Sequence, residues 1–135
     1  MLLKEKFPKE LVEDDICYKI KRVYDEENKL ALVHVLNSYN KTYKVLFYEN
    51  GERLSNMSIY NPETGKEIRN ITYRQDGKTI SSVREYDTET ARLLCTTFYK
   101  PDGKGVSSII ECNEAGTQTQ FTIFADNGEV ITQSL

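Results

Sequence analysis

The stretch from Tyr60 to Glu111 is one 26-residue unit written twice. The first copy runs from Tyr60 to Glu85 and the second from Tyr86 to Glu111, and ten of the 26 positions are identical without a gap. The identical positions include the opening Tyr, a Glu-Thr pair, a second Tyr followed by Asp-Gly-Lys, a Ser-Ser pair and the closing Glu. A tandem repeat of this length is one structural unit that buries its apolar surface against its neighbours. The duplication therefore constrains architecture strongly and chemistry very little.

A shorter rhythm extends the repeat over most of the chain. Anchor residues recur 12 or 13 positions apart at Tyr24, Leu36, Tyr48, Tyr60, Tyr73, Tyr86, Tyr99, Cys112 and Ala125. Turn glycines stand after the later anchors at Gly51, Gly65, Gly77, Gly103, Gly116 and Gly128, with Ala91 in the corresponding place of the second copy. Each anchor is therefore predicted to close a strand and to open a turn.

The turn sequences specify a tight hairpin. In Lys100-Pro-Asp-Gly103 the Pro sits where a type I turn needs φ near −65°, and the Gly sits where a left-handed bulge residue is needed. Asn61-Pro-Glu-Thr-Gly65 reads as the same turn with one extra residue. Ala91 replaces the glycine of that longer turn, which should cost about 1 kcal/mol if its φ is positive.

These spacings predict an all-β fold. Turn signals every 12 or 13 residues leave about seven or eight residues for each strand, and no linker is long enough for a crossover helix. We expect an antiparallel meander of about nine or ten strands, built from tandem 12–13-residue strand-turn units. The spacing is compatible with two architectures: an open twisted sheet, or an up-and-down barrel or half-barrel. Polar strands such as Thr117–Gln120 favour the open form.

The 135 residues suit a single β-repeat domain. Residues 1–15 form an N-terminal segment in which a short helix could form, since Pro8 is tolerated in a first turn. Residues 16–135 form the meander, with the clearest repeats at 60–85 and 86–111.

Composition limits the classes of binding partner and the cellular compartment that we expect. The net charge is −3 with acids and bases interspersed, so no basic surface is expected to bind nucleic acid or an anionic membrane. The N-terminus lacks the uninterrupted apolar run of a secretory signal. The three cysteines are an odd count, which leaves at least one thiol unpaired and fits a reducing compartment. We expect a cytoplasmic protein.

The residues that carry chemistry form no recognisable catalytic or metal set. The single His34 lies in the apolar run Leu30–Leu36 with no adjacent partner for catalysis or metal binding. A histidine whose hydrogen bonds are satisfied within the fold, or one that faces solvent, is the favoured interpretation. The cysteines lack the spacing of metal ligands, and Glu13-Asp14-Asp15 reads as a solvated helix end. We expect no enzyme activity, no catalytic residues, no metal and no cofactor.

The tyrosines are the candidate binding surface. In a meander every second strand runs the same way, so Tyr24, Tyr48, Tyr73 and Tyr99 mark one edge of the sheet and Tyr60 and Tyr86 the other. A regular aromatic row could dock an extended peptide or glycan, since Tyr has a broad apolar face and a polar tip. The alternative is that each Tyr packs over its own turn, and repetition with the turn favours that alternative.

The motifs Tyr60-Asn-Pro-Glu-Thr-Gly65-Lys66 and Tyr99-Lys-Pro-Asp-Gly103-Lys104 resemble the tandem hairpin repeats of an uncharacterised bacterial family of the phytoplasma type. More distantly, they are similar to the MORN-like and YD-type repeats of bacterial antitoxin and cell-surface proteins. The resemblance covers about residues 43–130. It implies a β-hairpin fold and assigns no reaction.

Two functions from different classes follow. The leading hypothesis is a non-enzymatic module for protein-protein interaction, with an antitoxin or immunity protein as the version that the resemblance implies. The alternative is a small-ligand binder built as an up-and-down β-barrel with an internal cavity. In an open meander the outer strands keep unpaired backbone groups, so a homodimer through the sheet edges is also expected to be accessible.

Overall fold

The computed structural model describes residues 19–135, and within them the chain is all-β. The strands are β1 (Lys19–Tyr24), β2 (Leu30–Leu36), β3 (Thr42–Glu49), β4 (Arg53–Tyr60), β5 (Glu67–Tyr73), β6 (Ile80–Tyr86), β7 (Leu93–Tyr99), β8 (Val106–Cys112), β9 (Gln118–Phe124) and β10 (Val130–Ser134). The predicted helix in residues 1–15 lies outside the described residues.

All ten strands form one sheet in chain order, and each strand is antiparallel to the next. β1 and β10 are the two outer strands and do not pair with each other, so the sheet stays open. The predicted meander and its strand number are confirmed. The barrel is wrong, because closing it would need a β1–β10 ladder. Since turns of three to six residues join every pair of neighbours, each strand can pair directly with the strand before it.

The turns have the predicted backbone. Every predicted turn glycine has a positive φ, and so does Ala91 at 63°. In the longer turns the Gly65 amide donates to the Asn61 carbonyl (2.8 Å) and the Ala91 amide donates to the Asp87 carbonyl (2.9 Å). The anchors close their strands as expected with two exceptions. β3 continues one residue past Tyr48 to Glu49, and β9 ends at Phe124, so that Ala125 begins the turn.

A β-bulge follows almost every turn. In the eight hairpins from β1–β2 to β8–β9 the register shifts at the anchor, so one residue of the next strand has no residue opposite it. Among the hairpins of residues 19–135, β9–β10 alone has no shift. A bulge redirects a side chain to the opposite face from the one that strict alternation would give it. Tyr43, the extra residue opposite Leu36, shows this effect. Alternation would place it on the same face as Val45, but it packs in the buried core.

The core lies on one face of the N-terminal half of the sheet. Residues directly opposite each other share a face, and one unbroken cross-strand row contains Val33, Leu46, Met57, Ile71 and Val83. We call the face that carries this row the core face and the other the second face. Val33 and Leu46 are fully buried and Met57 is 3% exposed. Beyond β6 the same row continues as Thr97, Ile109, Thr122 and Thr132, which bury less apolar area.

Cationic side chains connect turns that are neighbours along a sheet edge. Arg53 donates to the carbonyl of Arg74 (3.3 Å), and Arg74 in turn donates to the carbonyl of Tyr99 (2.7 Å). At the opposite edge Arg92 donates to the carbonyl of Asn113 (2.9 Å). Hydrogen bonds from a charged donor are stronger than neutral ones. These contacts join turns at the same edge of the sheet and add to the backbone ladder.

The two turns at Gly65 and Ala91 provide a matched test of the repeat. Both residues occupy the left-handed region, with φ values of 74° and 63°. A Cβ at Gly65 would meet nothing within 4 Å, so backbone strain is the main cost of adding one. We expect Gly65→Ala to lower the free energy of unfolding by about 1 kcal/mol and Ala91→Gly to raise it by up to about 1 kcal/mol.

Urea unfolding followed by circular dichroism measures both changes. The double variant Gly65→Ala/Ala91→Gly should return close to the wild-type stability, because the turns are separate. A loss of stability in Ala91→Gly would contradict the assigned strain.

Candidate interaction surface

The predicted tyrosine rows occupy the expected edges. Tyr24, Tyr48, Tyr73 and Tyr99 end or nearly end parallel strands at one edge of the sheet. Tyr48 and Tyr73 are half-buried against the core cluster, and burial raises the pKa of Tyr48. Tyr24 is 53% exposed. Two of the four therefore pack on the core, and a binding role for the row stays a prediction.

Tyr60 and Tyr86 lie at the opposite edge, and alternation along their strands places them on the second face. Tyr60 lines an open hollow of about 380 Å³ together with His34, Val45 and Pro62. One repeat further along the sheet, beside Tyr86, the positions of Val45 and Pro62 are taken by Asn70 and Thr88. The apolar lining is therefore not repeated along the sheet. The hollow is on the sheet surface and is not the interior of a barrel.

The second face of β7–β10 carries an apolar strip that the sequence reasoning missed. It consists of Phe98, Ile110, Phe121, Ile123 and Ile131, which we call the C-terminal strip. Ile123 lies opposite Ile131, and Ile110 lies opposite Phe121. Phe98, Ile123 and Ile131 are 37%, 36% and 45% exposed.

No charged side chain interrupts the C-terminal strip within its two cross-strand rows. The other members of those rows are Thr96, Ser108 and Gln133. In β4–β6 the same rows contain polar groups such as Asn56, Asn70 and Arg84. The apolar side of the sheet thus changes from the core face in β2–β6 to the second face in β7–β10. An exposed, uncharged apolar patch is the usual signature of a protein contact surface.

The strip reaches the outer strand β10. All five residues from Val130 to Ser134 are exposed, and none of them is charged. The amide of Leu135 donates to the carbonyl of Thr119 on β9 (2.8 Å). Since backbone amides alternate in direction along a strand, those of Val130, Thr132 and Ser134 point away from β9. The described residues therefore present an apolar strip and an adjoining row of unpaired backbone groups.

His34 does not converge with the other reactive side chains. It is half-buried in the hollow, whereas Glu85 and Cys95 are cross-strand neighbours on the core face some strands away, with Cys95 Sγ 3.9 Å from Glu85 Oε2. Burial, with the nearby carboxylates of Glu85 and Glu111 as smaller causes, raises the pKa of the Cys95 thiol, so its reactive thiolate is disfavoured. Among the described residues no group of three His, Cys, Asp or Glu side chains could hold a metal ion, and no helix is long and apolar enough to cross a membrane. Glu13-Asp14-Asp15 lies outside the described residues.

Acidic and amide side chains stabilise the turns by accepting hydrogen bonds from backbone amides. Asp76 accepts hydrogen bonds from the Thr79 hydroxyl and from the amides of Lys78 and Thr79 (both 2.8 Å). These bonds, with that of the hydroxyl the largest, lower the pKa of Asp76 to about 2. Asp87 is held in the same way by Glu89 and Thr90, and its pKa is also lowered.

A lowered carboxyl pKa predicts acid sensitivity. Asp76 contributes stability that is fully present above its unfolded pKa of about 3.8 and is lost as the pH falls through about 2. Thr79→Val keeps the side-chain shape and removes the hydroxyl donor. We expect an NMR titration to give a carboxyl pKa of about 2 for Asp76 in the wild type, and a value closer to 3.8 in the variant. Titration of wild-type Asp76 near 3.8 would contradict the role of Thr79.

The fold and this surface define a class of protein: an open antiparallel sheet of tandem β-hairpin repeats with an exposed apolar strip at one end. Residues 47–97 and 74–123 each match the model of a family described as protein of unknown function (DUF2963). The two matches are offset by about one repeat and together cover more than half of the chain. The chain therefore belongs to this family. No curated protein matches its sequence significantly.

Two solved structures contain a similar sheet. Part of the GtfA/B complex bound to UDP and GlcNAc matches with a TM-score of 0.61 and 10% identity, over 92% of this chain and 26% of that chain. Part of S. aureus TarM, in complex with Fondaparinux, alpha-GlcNAc-glycerol and UDP, matches with a TM-score of 0.56 and 9% identity, over 96% of this chain and 25% of that chain. The chain thus spans about a quarter of those chains. At such identities the likeness concerns the fold alone.

Proposed function

We propose that this protein is a non-enzymatic module that binds another protein through the C-terminal strip. The observation that carries the proposal is the exposed apolar row Phe98, Ile123 and Ile131, uninterrupted by charge. The buried centre of a protein interface is more apolar than the rest of the surface, enriched in aromatic side chains and depleted of most charged ones. The partner of matching chemistry presents an apolar face of its own.

The hairpin scaffold suits such a role. The first eight hairpins are locked by bulged turns, and the core is concentrated in β2–β6. The strip lies on the strands that contribute least to that core. Its side chains are therefore available to a partner without a loss of folding energy, and the rigid ladder holds them in place before binding. Preorganisation of this kind reduces the entropy lost on association.

Binding rather than catalysis accounts best for the distribution of reactive groups. His34 lies on the second face, away from the cross-strand pair Cys95 and Glu85 on the core face, and the raised pKa of Cys95 suits a thiol that packs. Cys95 and Cys112 are both free, which supports a cytoplasmic, reducing location as part of the same proposal.

The finer form of the proposal is an antitoxin or immunity-type binder of bacterial, phytoplasma-type descent. Its support is the resemblance of Tyr60–Lys66 and Tyr99–Lys104 to the hairpin repeats of such proteins. A toxin encoded beside this gene, and bound by the purified protein, is the result expected. A partner of another kind would remove the finer form and leave the binding function in place.

A strip variant tests the proposed function. Phe98→Thr/Ile123→Thr replaces two exposed apolar groups by a residue that strands accept well. Tyr39→Ser is the matched control, because Tyr39 is 80% exposed in a turn remote from the strip. Tagged wild-type protein and the control should recover one protein in stoichiometric amount from the native cell, and the strip variant should lose it.

The recovered protein, once purified, should form a defined complex with the wild type and bind the strip variant at least about tenfold more weakly. Recovery of no stoichiometric partner, or equal binding by the strip variant, would contradict the proposal.

A further inference from the structure

We propose that two copies of this chain pair edge to edge through β10, antiparallel, to form one continuous sheet. The inference concerns the backbone edge of the sheet, whereas the proposed function concerns side chains on its second face. The two are independent, since a sheet can gain a strand at its edge without covering either face.

β10 lacks the features that normally keep sheet edges apart. Natural edge strands are protected by charges, by bulges or by a covering element. Val130–Ser134 contains no charged residue, all five of its residues are exposed, and the β9–β10 ladder is the only one in the described sheet without a register shift. A regular ladder presents its outward amides and carbonyls at even spacing, which is what a second strand needs.

The opposite edge has those protective features. β1 carries Lys19, Lys21 and Arg22 within six residues, and its ladder with β2 shifts between Val23 and Tyr24. Pairing β1 with β1 of another copy would bring these cations together, and like charges on adjacent strands destabilise a sheet. Pairing β1 with β10 would be head to tail and would produce an open filament rather than a closed dimer. The neutral β10 edge is thus the one that suits a second copy.

The direction of the β10 amides fixes the register of the dimer. Because the Leu135 amide donates inward to Thr119, the amide and carbonyl of Thr132 point outward at the middle of the strand. A two-fold axis at Thr132 places this residue opposite Thr132 of the second copy, with Val130 opposite Ser134 of that copy. The outward backbone groups of all three residues then find partners.

This arrangement also extends the C-terminal strip. The two-fold axis between antiparallel strands of one sheet is perpendicular to the sheet, so the second face of one copy continues as the second face of the other. Ile131 of the two copies becomes a diagonal neighbour pair, within reach of direct side-chain contact. The dimer would therefore present one apolar strip of twice the length, which enlarges the surface offered to a partner.

Analytical ultracentrifugation of the full chain tests the proposal. The wild type should shift from its monomer mass of 15.6 kDa to twice that value as its concentration rises, without larger species. Thr132→Pro removes an outward amide and leaves the ladder with β9 intact, as proline does on edge strands. It should abolish the shift. Thr132→Val keeps the amide and should dimerise like the wild type.

A second variant guards against misfolding. Thr132→Lys adds an edge charge of the kind that β1 carries, and it should also remain monomeric while keeping the wild-type circular dichroism spectrum. Phe98→Thr/Ile123→Thr should still dimerise, so loss of the partner and loss of the dimer are separate results. A wild type that stays monomeric at every concentration, species larger than a dimer, or folded Thr132→Pro and Thr132→Lys variants that dimerise normally would overturn the proposal.

Discussion

The structure depends on the tight turn that closes each hairpin. Every strand pairs only with its neighbours in sequence, so no long-range crossover corrects an error of register. A residue with positive φ turns the chain, and in the first eight hairpins a bulge at the next strand restores the pairing. A slip of one residue would exchange the faces of a whole strand and expose the row that contains Val33, Leu46 and Met57. The duplicated unit repeats these turn residues because each turn sets the register of its own hairpin.

A sheet made this way need not be uniform. The first half places its apolar row on the core face, where Val33 and Leu46 are fully buried. In the second half the same row becomes rich in threonine, and the large apolar side chains lie on the second face. One half of the molecule therefore supplies stability, and the other presents an apolar surface on a scaffold that is already ordered. The repeated turn residues build the same hairpin scaffold in both halves. The difference between the halves comes from strand residues that are not repeated.

The sequence predicted what depends on local chemistry and missed what depends on neighbouring strands. Strand ends, turn positions and the positive φ of Ala91 were predictable, since Gly, Asn, Asp and Pro act through their own backbone. The sides of the sheet were not, because each bulge adds a residue that the turn spacing does not reveal, as Tyr43 illustrates. The turn spacing did not distinguish the barrel from the open sheet, because closure depends on the tilt and register of all ten strands together. The C-terminal strip could not be predicted because Phe98 and Ile131 are far apart in sequence, and only the registers of three hairpins place them in one cross-strand row.

Hydrogen exchange of the backbone amides, measured at low and high protein concentration, tests most directly whether the unprotected end of the sheet is its interaction surface. We expect the outward amides of Val130, Thr132 and Ser134 to exchange more slowly at high concentration, while those of Lys19–Tyr24 at the opposite edge do not change. Slower exchange along β1, or no concentration dependence along β10, would contradict it.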